Sequence, residues 1–201
     1  LLAGEVYIYY MTYTLPSGNY YLAEDIALNG GTVGETTYVG GEIRMKGNDS
    51  VVNLCLSGHT LSATNPNTPL LAVLRMQTPT LSDCKGSGKI QTAAGGYNVL
   101  QVTGDNTYSG TFTMYGGTIS GAYTGVQTYN KNVINLFGGT ITGNECGVGL
   151  NGGGSATIGG TVNITGNTEK NLNLYTGGKT GPIFSIDSTL TQASRIGISS
   201  P

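Results

Sequence analysis

The chain has 201 residues, enough for one domain, and holds 34 glycines and 13 tyrosines, no tryptophan, only 10% charged residues and a formal net charge of -2. That balance argues against a nucleic-acid partner, which needs a basic face to neutralise phosphates, and no run approaches the 18 apolar residues of a membrane span. Abundant Gly, Thr and Asn with few Lys/Glu-rich stretches argue against long helices, leaving an all-β repeat protein.

Residues 1–22 carry Tyr7, Tyr9, Tyr10, Tyr13, Tyr20 and Tyr21 and read as an N-terminal cap, since an uncovered first strand layer exposes unpaired edges. Val52-Asn-Leu-Cys-Leu-Ser-Gly-His-Thr-Leu61 alternates apolar and polar residues and turns at Ser57-Gly58. Thr80-Leu-Ser-Asp-Cys-Lys-Gly-Ser-Gly-Lys-Ile90 repeats that style. Leu54 and Leu81 then stack at a spacing of 27, with Asn65-Pro66-Asn67-Thr68-Pro69 as the inserted loop. Asp83 falls at an inward position where a carboxylate needs partners, so a local bulge is expected there.

The strongest repetition follows, in Thr111-Phe-Thr-Met-Tyr-Gly-Gly-Thr-Ile-Ser-Gly121, Val133-Ile-Asn-Leu-Phe-Gly-Gly-Thr-Ile-Thr-Gly143 and Ala156-Thr-Ile-Gly-Gly-Thr-Val-Asn-Ile-Thr-Gly166. Met114, Leu136 and Ile158 form one column; Ile119, Ile141 and Ile164 a second; Val126, Val148 and Leu172 a third, all spaced 22 to 24 residues apart. Units of about 22 residues with three short β runs and Gly-Gly corners predict turns stacked roughly 4.8 Å apart around continuous interior ladders. The expected fold is a single-stranded right-handed parallel β-helix, a β-solenoid of about eight turns, capped at both ends. Residues 1–22 are its cap, 23–181 its turns, and 182–201 its closing segment, through Ile183, Phe184, Ile186, Leu190, Ile196 and Ile198.

Gly18-Asn-Tyr-Tyr-Leu-Ala-Glu-Asp-Ile26, Leu54-Cys-Leu-Ser-Gly-His-Thr-Leu61 and Thr80-Leu-Ser-Asp-Cys-Lys-Gly-Ser-Gly-Lys-Ile90 resemble successive turns of pectin-lyase-like parallel β-helices. The Gly-Gly-Thr-Ile-Ser-Gly and Gly-Gly-Thr-Ile-Thr-Gly-Asn repeats and the ending Leu190-Thr-Gln-Ala-Ser-Arg-Ile-Gly-Ile198 are similar to those of large bacterial surface proteins. The resemblance covers residues 18–198 and implies an extracellular or cell-surface setting within a larger protein. It leaves activity open, because the superfamily holds lyases, hydrolases and adhesive domains. Its lyases use an acidic calcium cluster with a basic residue, and its polygalacturonases clustered aspartates with Gly-His-Gly and Arg-x-Lys elements. Here there is no adjacent Asp pair, the single His lies in Gly58-His59-Thr60, and Arg44-Met45-Lys46 has a basic pair's spacing without accompanying carboxylates.

His59 therefore reads as a turn residue bonded locally, because catalysis would need a partner within hydrogen-bond reach. Cys55, Cys84, Cys146 and His59 match no usual zinc spacing, and neither metal nor cofactor is expected. Cys84 stacks two residues out of register with Cys55, about 8 Å between Cα atoms, which opposes a bridge; Cys146 reads as a part-buried thiol. Glu145 and Glu169 follow equivalent Thr-Gly-Asn corners, so their Cα atoms lie about 5–8 Å apart, close enough for two catalytic carboxyls, with solvated corner residues as the alternative. Tyr115, Phe137, Tyr123 and Tyr129 form an aromatic ridge able to hold a sugar ring, or a stacking ladder that only stabilises the repeats. The reading that follows is a non-catalytic module for polysaccharide or surface-glycan interaction, with a polysaccharide lyase or glycoside hydrolase, then a structural spacer, as alternatives.

Overall fold

Alternation of apolar and polar residues, punctuated by glycine, produces strands throughout. The computed structural model describes residues 9–33, 36–64, 67–104, 107–175 and 181–197, which contain 17 strands and no helix. The N-terminal strands are β1 (Tyr9–Leu15), β2 (Gly18–Tyr21), β3 (Ile26–Val33), β4 (Thr36–Met45), β5 (Val52–Cys55), β6 (Thr60–Ala63), β7 (Leu71–Val73) and β8 (Thr80–Ser82). The repeating region holds β9 (Lys89–Thr103), β10 (Thr111–Met114), β11 (Thr118–Tyr129), β12 (Val133–Ile141), β13 (Cys146–Asn151), β14 (Ser155–Ile164) and β15 (Lys170–Tyr175). Strands β16 (Ile183–Ile186) and β17 (Arg195–Ile196) end the described chain.

The apolar columns pair as their spacing predicts. Leu54 lies beside Leu81, Leu81 beside Met114, Met114 beside Leu136, and Leu136 beside Ile158, all in parallel ladders. A second column runs through Leu61, Ile90, Ile119, Ile141 and Ile164, and a third through Leu71, Leu100, Val126, Val148 and Leu172. These side chains, with Leu56, Phe112 and Ile134, form one hydrophobic core.

The architecture corrects the expected right-handed parallel β-helix, the β-solenoid: the strands close into a mixed barrel with further strands outside it. The sheet is mixed because β3 and β4 pair antiparallel, Gly31 opposite Tyr38 and Val33 opposite Thr36. It closes because β4 pairs with β7, β7 with β9, β9 with β6, and β6 returns to β3. The physical reason lies in the glycines. In sequence they read as corners that end short strands, but several bend a strand that keeps its ladder. Strand β12 runs through Gly138-Gly139 with a register shift between Leu136 and Gly138, and β9 runs unbroken for 15 residues, bonding β6 at one end and β7 at the other. Gly160, at φ 57, shows the constraint most sharply, since a Cβ there would run into the Phe137 carbonyl.

At the chain ends, Tyr20 packs against the core while Tyr21 is exposed; Tyr7 lies outside the described residues. Phe184, Leu190 and Ile196 pack on the opposite end, Ile183 and Ile186 stay exposed, and Ile198 lies outside the described residues.

The bulge expected at Asp83 is a carboxylate-stapled corner. Its Oδ1 accepts from the Gly58 N–H at 2.7 Å and its Oδ2 from the Gly88 N–H at 2.6 Å, with Lys85 N–H at 3.4 Å. Burial raises the carboxyl's pKa, but the N–H groups of Gly88, Gly58, Lys85 and Gly86 outweigh it and hold the pKa below the usual carboxylate range. Asp83→Ala is expected to cost about 2–3 kcal/mol, for hydrogen bonds to a charged acceptor. Because the folded pKa is depressed, this stabilisation is full above the unfolded value of about 3.9 and is withdrawn as pH falls through the folded one. Asp83→Asn should therefore flatten the acid limb of the stability–pH curve measured by urea unfolding; a limb as steep as wild type contradicts this role.

Candidate functional site

Four adjacent parallel strands, β9, β11, β13 and β15, carry a groove of about 270 Å³ on their outer side. Register builds it. Asn98 pairs with Thr124, Thr124 with Cys146 and Cys146 with Lys170, so these four form one row across the strands. Tyr97 and Tyr123, each one residue earlier, stand at one side, while Tyr129, Asn151 and Tyr175 form a row at the other.

The floor is polar and ordered. The Gln127 Nε2 donates to the Thr128 and Gly149 carbonyls, both at 3.0 Å, and a side chain at Gly149 would collide with this amide. Asn98 Nδ2 donates to Gln101 Oε1 at 2.9 Å. Asn151 lines the groove, and its buried Oδ1 has no hydrogen-bond partner among the described residues. The Tyr97 and Tyr129 hydroxyls lie 3.3 Å apart. Burial, reinforced by Tyr97, pushes the Tyr129 phenol pKa well up, so it stays protonated.

Beneath the floor, Gly125 and Gly147 leave space for buried carboxamides. A Cβ at Gly125 would sit 2.9 Å from Asn144 Nδ2, and one at Gly147 2.7 Å from Asn167 Nδ2. Asn144 Nδ2 donates to Asn167 Oδ1 at 3.0 Å, and Asn167 Nδ2 to Asn171 Oδ1 at 2.9 Å, an asparagine ladder at the Thr-Gly-Asn corners.

The structure divides the residues singled out from sequence. Tyr123, Tyr129 and Glu169 meet in this groove. Glu145 neighbours Glu169 through the backbone, the Glu169 N–H donating to the Glu145 carbonyl at 2.9 Å, but it lines a different hollow with Gly95, Gly121 and Thr168. Tyr115 and Phe137 lie outside the groove as a separate pair, ring centroids 5.8 Å apart. Tyr97, Tyr175 and the amides of Asn98, Gln127 and Asn173 escaped the sequence reading. The signal was there: Tyr97 and Tyr175 continue the Tyr123 and Tyr129–Asn151 columns one strand further each way.

Other chemistry is local. His59 Nδ1 lies 3.3 Å from Asp25 Oδ1, so its partner is 34 residues away rather than in its own turn. That carboxylate also accepts the Thr60 N–H at 2.8 Å, the chief cause of its lowered pKa. Arg44 does have an accompanying carboxylate: its Nε and Nη2 donate to the buried Glu42 at 2.6 and 3.1 Å. Burial pushes the Cys146 thiol up to about 11, so it is a neutral thiol in the groove floor. Among the described residues, no group of three or more His, Cys, Asp or Glu is placed to hold a metal, and no helix is long and apolar enough to cross a membrane.

No protein-family model matches the chain, nor does any curated protein or solved structure, so nothing in these comparisons supports the expected kinship with pectin-lyase-like repeats.

Proposed function

We propose that this chain is a non-catalytic, extracellular carbohydrate-binding module whose site is the groove between Tyr97, Tyr123, Tyr129 and Tyr175. One observation carries the reading: tyrosine walls stand over a floor of side-chain amides. Aromatic faces stack on the C–H faces of sugar rings, while amides meet hydroxyls of either polarity. A formal net charge of -2 suits a neutral or weakly charged glycan better than a polyanion.

The lyase or hydrolase reading is weaker because Glu145 and Glu169 line different hollows and do not face one another across a common space. A glycan array run beside a polysaccharide depolymerisation screen separates the readings. Binding without cleavage is the expected outcome, unchanged in Glu145→Gln. Cleavage abolished by Glu145→Gln or Glu169→Gln would establish an enzyme instead, and neither binding nor cleavage across a broad panel would leave a structural spacer. The cell-surface setting belongs to the same proposal; fractionation of the parent protein into the cytoplasm would overturn it.

A further inference from the structure

The sequence register, Cys55 beside Ser82, sets Cys84 beyond the usual bridging range of Cys55, and β5 and β8 do pair Cys55 with Ser82. Their sulfurs are 3.2 Å apart, with both thiols free. The corner explains it. Strand β8 ends at Ser82, and the Asp83 carboxylate, held by Gly58 and Gly88, bends the chain so that Cys84 returns over Cys55. The Ser57 hydroxyl sits 3.5 Å from Cys55 Sγ and 3.8 Å from Cys84 Sγ, in reach of either sulfur. Cys84 is exposed and Cys55 partly so, which gives a small-molecule reagent access.

We propose that Cys55 and Cys84 are a redox-active surface dithiol that closes into an intramolecular disulfide by exchange with a small-molecule disulfide. The site is separate from the sugar groove and does not depend on that reading. In the first step the Cys55 thiolate attacks one sulfur of the oxidant RSSR, forming a Cys55–S–S–R bond and releasing RS⁻. In the second, Cys84 as thiolate attacks Cys55 Sγ, the Cys55–Cys84 bond forms, and the second RS⁻ leaves. Two electrons pass from the dithiol to the oxidant, and the two thiol protons end on two RSH. Burial opposes ionisation of Cys55, but its contacts with Ser57 and Cys84 outweigh that and bring its pKa down to about 7, which favours it as the first nucleophile. Cys146, buried with its pKa raised to about 11, serves as an internal control.

The test treats the whole chain with oxidised glutathione and follows thiol count, intact mass, peptide mapping and thermal unfolding. Wild type is expected to lose two of its three thiols and about 2 Da, the mass of two hydrogens, and to yield a peptide joining Cys55 to Cys84. Its Tm should rise by about 5 °C or more, because the bond closes a long loop. Cys146→Ser should lose both of its remaining thiols, with the same loss of about 2 Da and the same linked peptide, whereas Cys55→Ser and Cys84→Ser should stop at a glutathione adduct on the remaining surface sulfur. Three surviving thiols, a wild-type chain that stops at the mixed disulfide, a link between chains, or dependence on Cys146 would each overturn the proposal.

Discussion

Asn144→Ala is expected to cost about 3–5 kcal/mol of stability, although it removes a small polar side chain. Asn144 is 1% exposed, and its carboxamide is fully engaged. Its Oδ1 accepts the Ala122 N–H at 3.1 Å, and its Nδ2 donates to Asn167 Oδ1 at 3.0 Å and to the Thr142 and Ile119 carbonyls at 3.2 and 3.3 Å. Alanine leaves these groups buried without partners, and each unsatisfied group costs roughly 1–3 kcal/mol. The loss spreads, because Asn167 Oδ1 also holds the Asn144 backbone N–H and Asn167 itself leans on Asn171. Asn163→Ala is the comparison: that side chain is only half-buried in β14, and a change near 0.5 kcal/mol is expected. Urea unfolding measures both. Equal losses in the two variants would show that the ladder carries no special share of the fold.

The second large effect concerns binding. With a glycan identified on the array, Tyr123→Ala and Tyr129→Ala should each weaken affinity about ten- to a hundredfold, roughly 1.4–2.8 kcal/mol, as expected for aromatic anchors at the centre of a site. Tyr129→Phe isolates the hydroxyl that meets Tyr97 and should cost less, because the ring face remains. Tyr115→Ala removes an equally exposed aromatic that pairs with Phe137 outside the groove, and its affinity should match wild type. Calorimetric titration distinguishes these cases. If Tyr115→Ala weakened binding as much as Tyr123→Ala, the ligand would lie on the Tyr115–Phe137 pair and not in the groove.

The apolar columns were legible because burial forces periodicity: Met114, Leu136 and Ile158 share a layer, and so do Ile119, Ile141 and Ile164. Closure was not legible. A Gly-Gly step looks the same in sequence whether it ends a strand or bends one, and only the ladder through Gly138 and Gly139 decides it. Nor does alternation reveal strand direction, so the antiparallel β3–β4 pair left no trace in the pattern. Part of the groove could be read because Tyr123, Tyr129 and Glu169 sit on the clean repeats. Tyr97 was hidden by the Ala93-Ala94-Gly95 irregularity, which shifts the register between Ser120 and Ala122 against β9. The buried asparagines were seen as turn residues, since Thr-Gly-Asn has the composition of a solvated corner. The Cys55–Cys84 approach depends on the bend at Asp83, which a straight-strand register cannot supply.

The central claim is that the ligand lies between the tyrosine walls, and amide chemical-shift mapping of the isotope-labelled chain with a bound oligosaccharide tests it most directly. The largest shifts are expected at Asn98, Thr124, Gln127, Asn151 and Asn173, including the side-chain amides of Gln127 and Asn151, with little change around Tyr115 and Phe137. Saturable shifts centred anywhere else on the barrel, with the groove amides unmoved, would contradict it.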